Sequence, residues 1–190
     1  MKQRLSPTDW IQAAYRALTT GGPQAIRAES IARALNVSKG SFYWHFKDVP
    51  ALKQAMLDHW QQVATQDVID LVESGATDAK ARLHLLVRVS TALPDDDYGG
   101  GLAEAAIRDW ARYDPAAAKA VKQIDSQRLK FVESQFSAFG FNQQQSTQRA
   151  TILYAALIGL HQLAHHGLSL PPEDLSALLD YLITPQGADW

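Results

Sequence analysis

A short stretch near the N-terminus combines basic and aromatic side chains at helical spacing. It reads VSKGSFYWHFK from Val37 to Lys47. In a helix, Phe42 and Phe46 lie one turn apart, so we expect both rings to point into a core. The opposite face then holds residues that differ from the usual Glu, Gln and Lys of a solvated helix: Lys39, Gly40, Tyr43, Trp44 and Lys47. Outward aromatic rings beside lysines are suited to phosphate hydrogen bonds and to apolar contact with thymine methyl groups.

The charge distribution also favours a phosphate-facing N-terminal segment. The chain of 190 residues has a formal net charge of −2. Residues 1–60 contain eight Lys and Arg against four acids, a net charge of +4, which leaves −6 on the other residues. One end of the protein is therefore able to meet phosphates, whereas the other end would repel them.

The composition indicates a globular protein of a reducing compartment. Hydrophobic residues make up 46% of the chain and charged residues 20%, which argues against disorder. Cysteine is absent, which excludes disulfide and thiolate chemistry. The N-terminus does not have the pattern of a signal peptide, and no run approaches the ~18 apolar residues of a membrane span. We therefore expect a cytoplasmic protein without membrane contact.

The hydrophobic periodicity is helical along the whole chain, with almost no alternation of period two. Ser6 is the predicted N-cap of the first helix, and Pro7 suits its first position. Asn36 is expected to end the second helix in a left-handed conformation. Nine helices are predicted; the first begins near Ser6, and the others cover about 28–35, 38–46, 50–73, 78–93, 102–113, 115–139, 143–166 and 172–183.

The second and third predicted helices are joined by only three residues, Asn36 to Ser38. A link this short between amphipathic helices forces a sharp crossing angle, which is the geometry of a helix-turn-helix. A plain helical hairpin would have the same link. The outward Tyr43 and Trp44 are what favour a DNA-binding helix-turn-helix over a hairpin.

This segment resembles the DNA-binding domain of the tetracycline-repressor (TetR) family. The shared motif is IAxALxVSxGxxYxHF, which begins at Ile31 and ends at Phe46. The resemblance implies an all-α fold with a helix-turn-helix domain at residues 1–49. It further implies a ligand-binding and dimerisation domain at residues 50–190, in which the helix at 50–73 connects the two.

The resemblance also implies which residues contact DNA. The family's contacts fall here on Ser38, Lys39, Gly40, Ser41, Tyr43, Trp44, His45 and Lys47. Arg27, which stands where the family usually has a capping Thr or Ser, is added to this set as a basic side chain that compensates for Val49. Val49 occupies the place of a common phosphate-contacting Lys in the family. We expect Lys39, Gly40 and Trp44 to meet base edges. Tyr43, His45 and Lys47 are expected to fix the register on phosphates.

The helix predicted at 143–166 is apolar around nearly its whole circumference, so it must be buried on two sides. Its second partner is either a second copy of the chain or the rest of the same core. The family dimerises through its last two long helices, which favours a homodimer and a roughly palindromic operator with half-sites about 34 Å apart. The predicted interface residues are Leu157, Leu160, His161, Ala164, Leu175, Leu178, Leu179 and Leu182.

Polar and aromatic residues stand among apolar ones in the helices between residues 50 and 139. The predicted ligand-binding residues are Trp60, His84, Arg88, Trp110, Tyr113, Gln127 and Phe131, and Arg128 belongs to the same pattern. Each alone is more often ordinary packing, but aromatic walls with a few polar groups are what a small-molecule pocket needs. The resemblance implies an inducer pocket here, whose occupation moves the helix at 50–73 and spreads the DNA-reading heads.

No catalytic, cofactor or metal site is predicted. The sequence has no Ser/His/Asp arrangement and no nucleotide-binding glycine pattern beside a strand. His161 and His165 form an i, i+4 pair next to His166, but no carboxylate lies nearby in sequence to complete a metal site. The Asp95–Asp97 run lacks the spaced ligands of a calcium loop.

The sequence therefore favours a homodimeric repressor that an unknown small molecule releases from its operator. One alternative is the same fold controlled by a protein partner, or acting as an activator, without a small-molecule inducer. Another is a helical enzyme with an incidental helix-turn-helix. A deep pocket would favour the first function over the second, and clustered titratable groups with strongly shifted pKa values would favour the third.

Overall fold

A computed structural model describes residues 5–92, 98, 102–168, 171 and 173–184 of the protein. The first four helices are α1 (Pro7–Gly21), α2 (Ala28–Ala34), α3 (Lys39–Phe42) and α4 (Val49–Gln61). A π-helical turn (Gln62–Gln66) leads from α4 into α5 (Asp67–Gly75). The remaining helices are α6 (Ala79–Thr91), α7 (Ala103–Ala111), α8 (Pro115–Phe139), α9 (Gln143–His165) and α10 (Glu173–Ile183).

The predicted all-α fold is confirmed. The described residues form nine helices when α4, the π-helical turn and α5 are counted as the one helix predicted at 50–73. The later helices begin and end within two residues of their predicted bounds. No helix in the described ranges is both long and apolar enough to cross a membrane.

Side-chain caps explain where several helices begin. Ser6 Oγ accepts a hydrogen bond from the backbone N of Asp9 at 3.4 Å, and the Asp9 carboxylate accepts from the backbone N of Ser6 at 2.6 Å. This capping box satisfies two amide groups at the start of α1, and the hydrogen bonds from Ser6 lower the pKa of Asp9. Asp48 caps α4 by accepting from the backbone N of Ala51 at 2.8 Å.

The link between α2 and α3 has the predicted left-handed residue. Asn36 has φ = 55°, a region in which Asn is tolerated better than most residues. Its backbone N donates to the carbonyl of Arg33 at 3.0 Å, and the next amide, Val37 N, donates to the carbonyl of Ala32 at 2.9 Å. These bonds close the C-terminal end of α2, so the chain turns sharply into α3.

The start and the end of α3 differ from the sequence prediction. Ser38 occupies the N-cap position but makes no side-chain capping bond, and its Oγ lies 3.3 Å from Ser41 Oγ. The α-helix ends at Phe42 instead of Phe46. Beyond it, the backbone N of His45 donates to the carbonyl of Phe42 at 2.9 Å, a three-residue spacing that tightens the last turn.

The chain divides into two compact units. The first contains residues 1–62 and 93–122, and the second contains residues 63–92 and 123–190. The predicted domains, 1–49 and 50–190, stay a prediction, since packing alone does not assign a function to a segment.

The first unit has an aromatic core between α1 and α4. Trp10 is fully buried in it, together with Leu52 and Met56. The hydroxyl of Tyr15 donates to the carbonyl of Met56 at 2.6 Å and so joins the two helices. Burial raises the pKa of Tyr15 well above its usual value, so this phenol remains a protonated donor.

The second unit has an aliphatic core supplied by four helices. Its buried members come from α6, α8, α9 and α10: Leu83, Val87, Val132, Phe136, Ala150, Leu153, Leu175, Leu179, Leu182 and Ile183. Arg149 on α9 donates from Nε to the carbonyl of Leu182 at 2.9 Å and thereby satisfies one acceptor at the end of α10.

Candidate nucleic-acid interface

Two aromatic residues fasten α3 to the first unit, as the sequence predicts. Phe42 has no exposed surface, and Phe46 is buried as well. The ring of Trp10 on α1 meets Phe42 edge to face, with 5.5 Å between the ring centroids. The rings of Phe42 and Phe46 lie 5.9 Å apart. A helix of four residues has little stability of its own, so these contacts hold α3 in place.

The next two aromatic residues face outward. Trp44 is 88% exposed and Tyr43 is 57% exposed. Large aromatic side chains gain free energy from burial, so a nearly bare Trp beside an exposed Tyr is a candidate surface for binding another molecule. His45 is half-buried, with its ring 6.0 Å from that of Trp10. It therefore lies at the flank of the outward surface.

Gly40 lies on the same outward side, and nothing inside the protein requires a glycine there. A Cβ added to Gly40 would meet Ser38 Oγ at 3.6 Å, an ordinary van der Waals distance. Its backbone is helical, so the residue is not needed for a left-handed conformation either. The absence of a side chain instead leaves room for a partner's surface to approach the backbone closely.

The basic side chains of this region differ in their surroundings. Lys47 is exposed. Arg27, at the N-cap of α2, is exposed and donates from Nε to the carbonyl of Gln24 at 2.9 Å. Lys39 Nζ is paired with Glu29 Oε1 at 2.6 Å, from the first residue of α3 to the first turn of α2. This hydrogen bond and the opposite charges raise the pKa of Lys39 and lower that of Glu29.

The outward surface lies within the segment that matches a known family. Residues 11–56 match the family of bacterial regulatory proteins, tetR family. Residues 11–56, about a quarter of the chain, therefore form a TetR-family segment. The match supports a transcriptional regulator, and regulation of this kind acts through DNA binding.

Solved structures of transcription regulators share the fold over nearly the whole chain. A regulator from Rhodococcus sp. Rha1 is 21% identical, covers 94% of each chain and has a TM-score of 0.76. A TetR regulator from Legionella pneumophila is 15% identical, with 96% of this chain and 97% of that chain covered and a TM-score of 0.72. A regulator from Saccharomonospora viridis in complex with choline is 18% identical, with 94% and 96% covered and a TM-score of 0.70. No curated protein matches the sequence significantly.

The predicted DNA contacts all fall inside the matched segment. Most of these residues lie on α3, its N-cap and the turn that follows: Ser38 to Ser41, Tyr43 to His45, and Lys47. Arg27 lies apart from them, at the N-cap of α2. Their contact with DNA stays a prediction. Sequence reasoning missed the pairing of Glu29 with Lys39, because an acid in the first turn of α2 is already explained by the helix dipole.

Three of the predicted effector residues belong to the first unit. Trp60 is buried, and its Nε1 donates to Glu104 Oε2 at 3.1 Å. Trp110 is also buried, and Lys53 Nζ lies 5.4 Å from the centroid of its ring. Tyr113 is 85% exposed. Its ring is therefore a surface group of this unit, and the expectation that it forms a wall of a pocket is not supported.

The other four effector residues belong to the second unit. His84 Nε2 lies 3.6 Å from Asp180 Oδ1, so α6 and α10 are linked at this point. Gln127 Nε2 donates to Gln66 Oε1 at 3.0 Å. Phe131 is half-buried, and Arg88 is exposed. These assignments to an effector site stay predictions.

A polar network around the π-helical turn was not predicted from the sequence. Arg128 Nε donates to Thr65 Oγ1 at 3.0 Å, and Nη2 donates to the carbonyl of Ala64 at 2.9 Å. Its Nη1 lies 3.4 Å from the hydroxyl of Tyr154, which itself donates to Asp125 Oδ1 at 2.6 Å. Thr65 is almost completely buried. Arg128 therefore satisfies polar atoms that water does not reach in this irregular turn.

Replacing Arg128 with methionine is expected to lower the free energy of unfolding by about 1–3 kcal/mol, because buried acceptors of the π-helical turn lose their donor. Denaturant unfolding at a fixed protein concentration measures the change. Arg88→Met is the matched control, since Arg88 is an exposed arginine of the same unit. That variant should stay within about 0.5 kcal/mol of the wild type. Equal stability of the two variants would contradict the role given to Arg128.

Helix α9 presents apolar residues on two sides. Ala150, Leu153 and Tyr154 are buried within the protomer. Ile152 is 49% exposed and Leu163 is 42% exposed. The helix therefore keeps one apolar side uncovered in a single protomer.

The predicted dimer residues separate into two groups. Five keep some exposed surface: Leu157, Leu160, His161, Ala164 and Leu178. The other three are wrong as surface residues, because they are buried in the protomer's own core: Leu175, Leu179 and Leu182. The sequence pattern of α10 shows a wide apolar stripe but cannot say which part of it the same chain covers.

The histidine cluster at the end of α9 is held by its neighbours. The rings of His165 and His166 lie 5.5 Å apart, and Gln162 Nε2 lies 3.2 Å from His166 Nε2. Among the residues that the structure describes, no three His, Asp or Glu side chains are grouped to hold a metal ion. The Asp95–Asp97 run lies outside the described residues.

Proposed function

We propose that the protein is a homodimeric repressor that binds a palindromic operator and is released from it by a small-molecule effector. The observation that carries the DNA-binding part is the outward pair Tyr43 and Trp44 on a segment fastened by the buried Phe42 and Phe46. The inner rings fix the backbone, and the outer rings are left for DNA. Lys47 and Arg27 supply positive charge for phosphates.

The dimer part of the proposal is supported by the uncovered side of α9. Ile152, Gly159 and Leu163 follow one another at steps of seven and four residues, so they share one side of the helix. A Cβ added to Gly159 would meet no atom within 4 Å, so this side has room for a second helix to approach closely. A second copy would cover the stripe, and two-fold symmetry would then place two α3 segments about 34 Å apart on DNA.

The effector part of the proposal is supported by a protein of the same fold. A structure of the same fold from Saccharomonospora viridis contains choline, so this fold accommodates a small molecule. The predicted effector residues other than Tyr113 stay the candidates for binding in this chain. An effector with higher affinity for the DNA-free conformation than for the DNA-bound one would weaken operator binding. The largest factor by which it can do so is the ratio of those two effector affinities.

Selection of bound sites from random duplex DNA with the purified protein tests the proposal. We expect enrichment of an inverted repeat whose half-sites are one helical turn apart, and a sedimentation mass of two chains. Enrichment of no sequence would overturn the assignment of a sequence-specific operator. A half-site without a repeat, together with a mass of one chain, would overturn the dimer.

The same selected site then tests release by a small molecule. We expect at least one member of a metabolite library to raise both the melting temperature of the protein and its Kd for the operator. Stabilising compounds that leave the operator Kd unchanged would favour control by a protein partner. A reporter gene placed behind the operator separates repression from activation.

A further inference from the structure

The Glu29–Lys39 pair suggests how this chain discriminates its operator from other DNA. Glu29 Oε1 and Lys39 Nζ are 2.6 Å apart, and they join the first turn of α2 to the first residue of α3. The side chain of Lys39 is 50% exposed and that of Glu29 is 66% exposed. The pair therefore lies at the surface of the helix-turn-helix, beside the residues that we expect to face DNA.

The pair is not what holds α2 and α3 together. An exposed ion pair contributes little to stability, because water and salt screen it. The apolar side chains of Ile31, Ala32 and Phe42 are buried nearby in the same unit and provide that packing. In the DNA-free protein the pair places the ammonium group of Lys39 against a carboxylate.

We propose that Glu29 is a specificity-determining residue that holds Lys39 back from DNA phosphates; this inference rests on the proposed DNA-binding role of α3. A carboxylate beside DNA is repelled by phosphates, and Lys39 is neutralised while it is paired. Lys39 leaves Glu29 only when a base presents acceptors at the right position. Guanine O6 and N7 are the acceptors that lysine contacts most often in the major groove.

Operator DNA and unrelated DNA therefore affect the Glu29–Lys39 pair differently. On an operator with guanine at this position, the contact of Lys39 with the base compensates for the loss of its ion pair with Glu29. On unrelated DNA, Lys39 stays with Glu29, and the protein binds with one phosphate contact fewer than its lysine count allows. Glu29 thus weakens non-specific binding more than operator binding, which raises the ratio of the two affinities.

Glu29→Gln tests this inference on the full-length protein. We expect affinity for unrelated duplex DNA to rise several-fold, and the salt dependence of that binding to steepen by about 0.9 per protomer as Lys39 becomes free to contact a phosphate. Affinity for the selected operator should change less, so the specificity ratio falls. Fluorescence anisotropy over a series of salt concentrations measures all three quantities.

Two further variants separate this effect from a general change in charge. Asp58→Asn removes one exposed negative charge of the same unit, and Asp58 Oδ1 accepts from Gln54 Nε2 rather than from a lysine. It should leave the slope on unrelated DNA unchanged. Adding Glu29→Gln to a Lys39→Met protein should also leave the slope unchanged, because the lysine that Glu29 restrains is gone.

The inference is overturned if Glu29→Gln and Asp58→Asn change the slope equally, or if the effect of Glu29→Gln persists without Lys39. An unchanged specificity ratio in Glu29→Gln would overturn it as well. Each of these results requires a wild-type protein that binds its operator. A wild type that binds no DNA would instead refute the proposed function, so the two failures are distinguishable.

Discussion

Replacing Phe42 with alanine is expected to lower the free energy of unfolding by about 3–5 kcal/mol and to abolish operator binding. Phe42 is fully buried, and its ring contacts those of Trp10, Tyr43 and Phe46. The α-helical part of α3 contains only four residues, so its position depends on this packing more than on helix propensity. The cavity left by the ring would therefore also displace the outward residues.

Chemical unfolding and operator binding of Phe42→Ala are measured beside those of Tyr113→Ala. Tyr113 is 85% exposed, so its removal should change stability by no more than about 0.5 kcal/mol and leave DNA binding intact. A Phe42→Ala protein with wild-type stability and wild-type operator affinity would show that α3 is held by other contacts.

Replacing Trp44 with alanine is expected to weaken operator binding by tenfold to 100-fold, about the free energy of one good base contact. Stability should be unchanged, since the side chain of Trp44 is 88% exposed and has little packing to lose. Affinity for unrelated DNA should fall much less, because the positive charges that bind phosphates are all still present. The expected result is a lower specificity ratio in a protein that unfolds like the wild type.

Tyr43→Phe is the matched comparison for Trp44→Ala. It keeps an aromatic ring at the neighbouring position and removes only the hydroxyl group that we expect to contact a phosphate. Affinity for operator and for unrelated DNA should fall by the same factor. The salt dependence should stay unchanged, because a neutral hydroxyl releases no counterion from DNA. A Trp44→Ala protein with an unchanged specificity ratio, or a Tyr43→Phe loss confined to one base position, would contradict these roles.

Much of the local architecture follows from the sequence because periodicity and caps are local signals. The step of four residues places Phe42 and Phe46 on one side and leaves Tyr43 and Trp44 outside, as the structure has them. The predicted capping residue Ser6 stands at the start of α1. The TetR motif adds which outward residues are expected to meet DNA, since side-chain type and spacing are all that such a motif requires.

The features that were not predicted depend on partners far away in the chain. Arg128 bonds to Thr65, 63 residues earlier, and no local pattern states that pairing. The periodicity of α10 predicts that Leu179 is covered, but it does not distinguish cover by the same protomer from cover by a second one. Tyr113 follows α7 at a corner, where helical periodicity no longer predicts the direction of a side chain.

The outward side of α3 and the following turn are expected to recognise one DNA sequence. The most direct measurement compares the Kd of the wild-type protein for its selected site with that for a scrambled duplex of equal length and composition. At physiological salt we expect the selected site to bind at least roughly 10³-fold more tightly, the lower range for specific regulators. Equal affinity for the two duplexes, with the same loss of affinity as salt is raised, would show that the protein binds through phosphates alone. That result would contradict recognition of one DNA sequence.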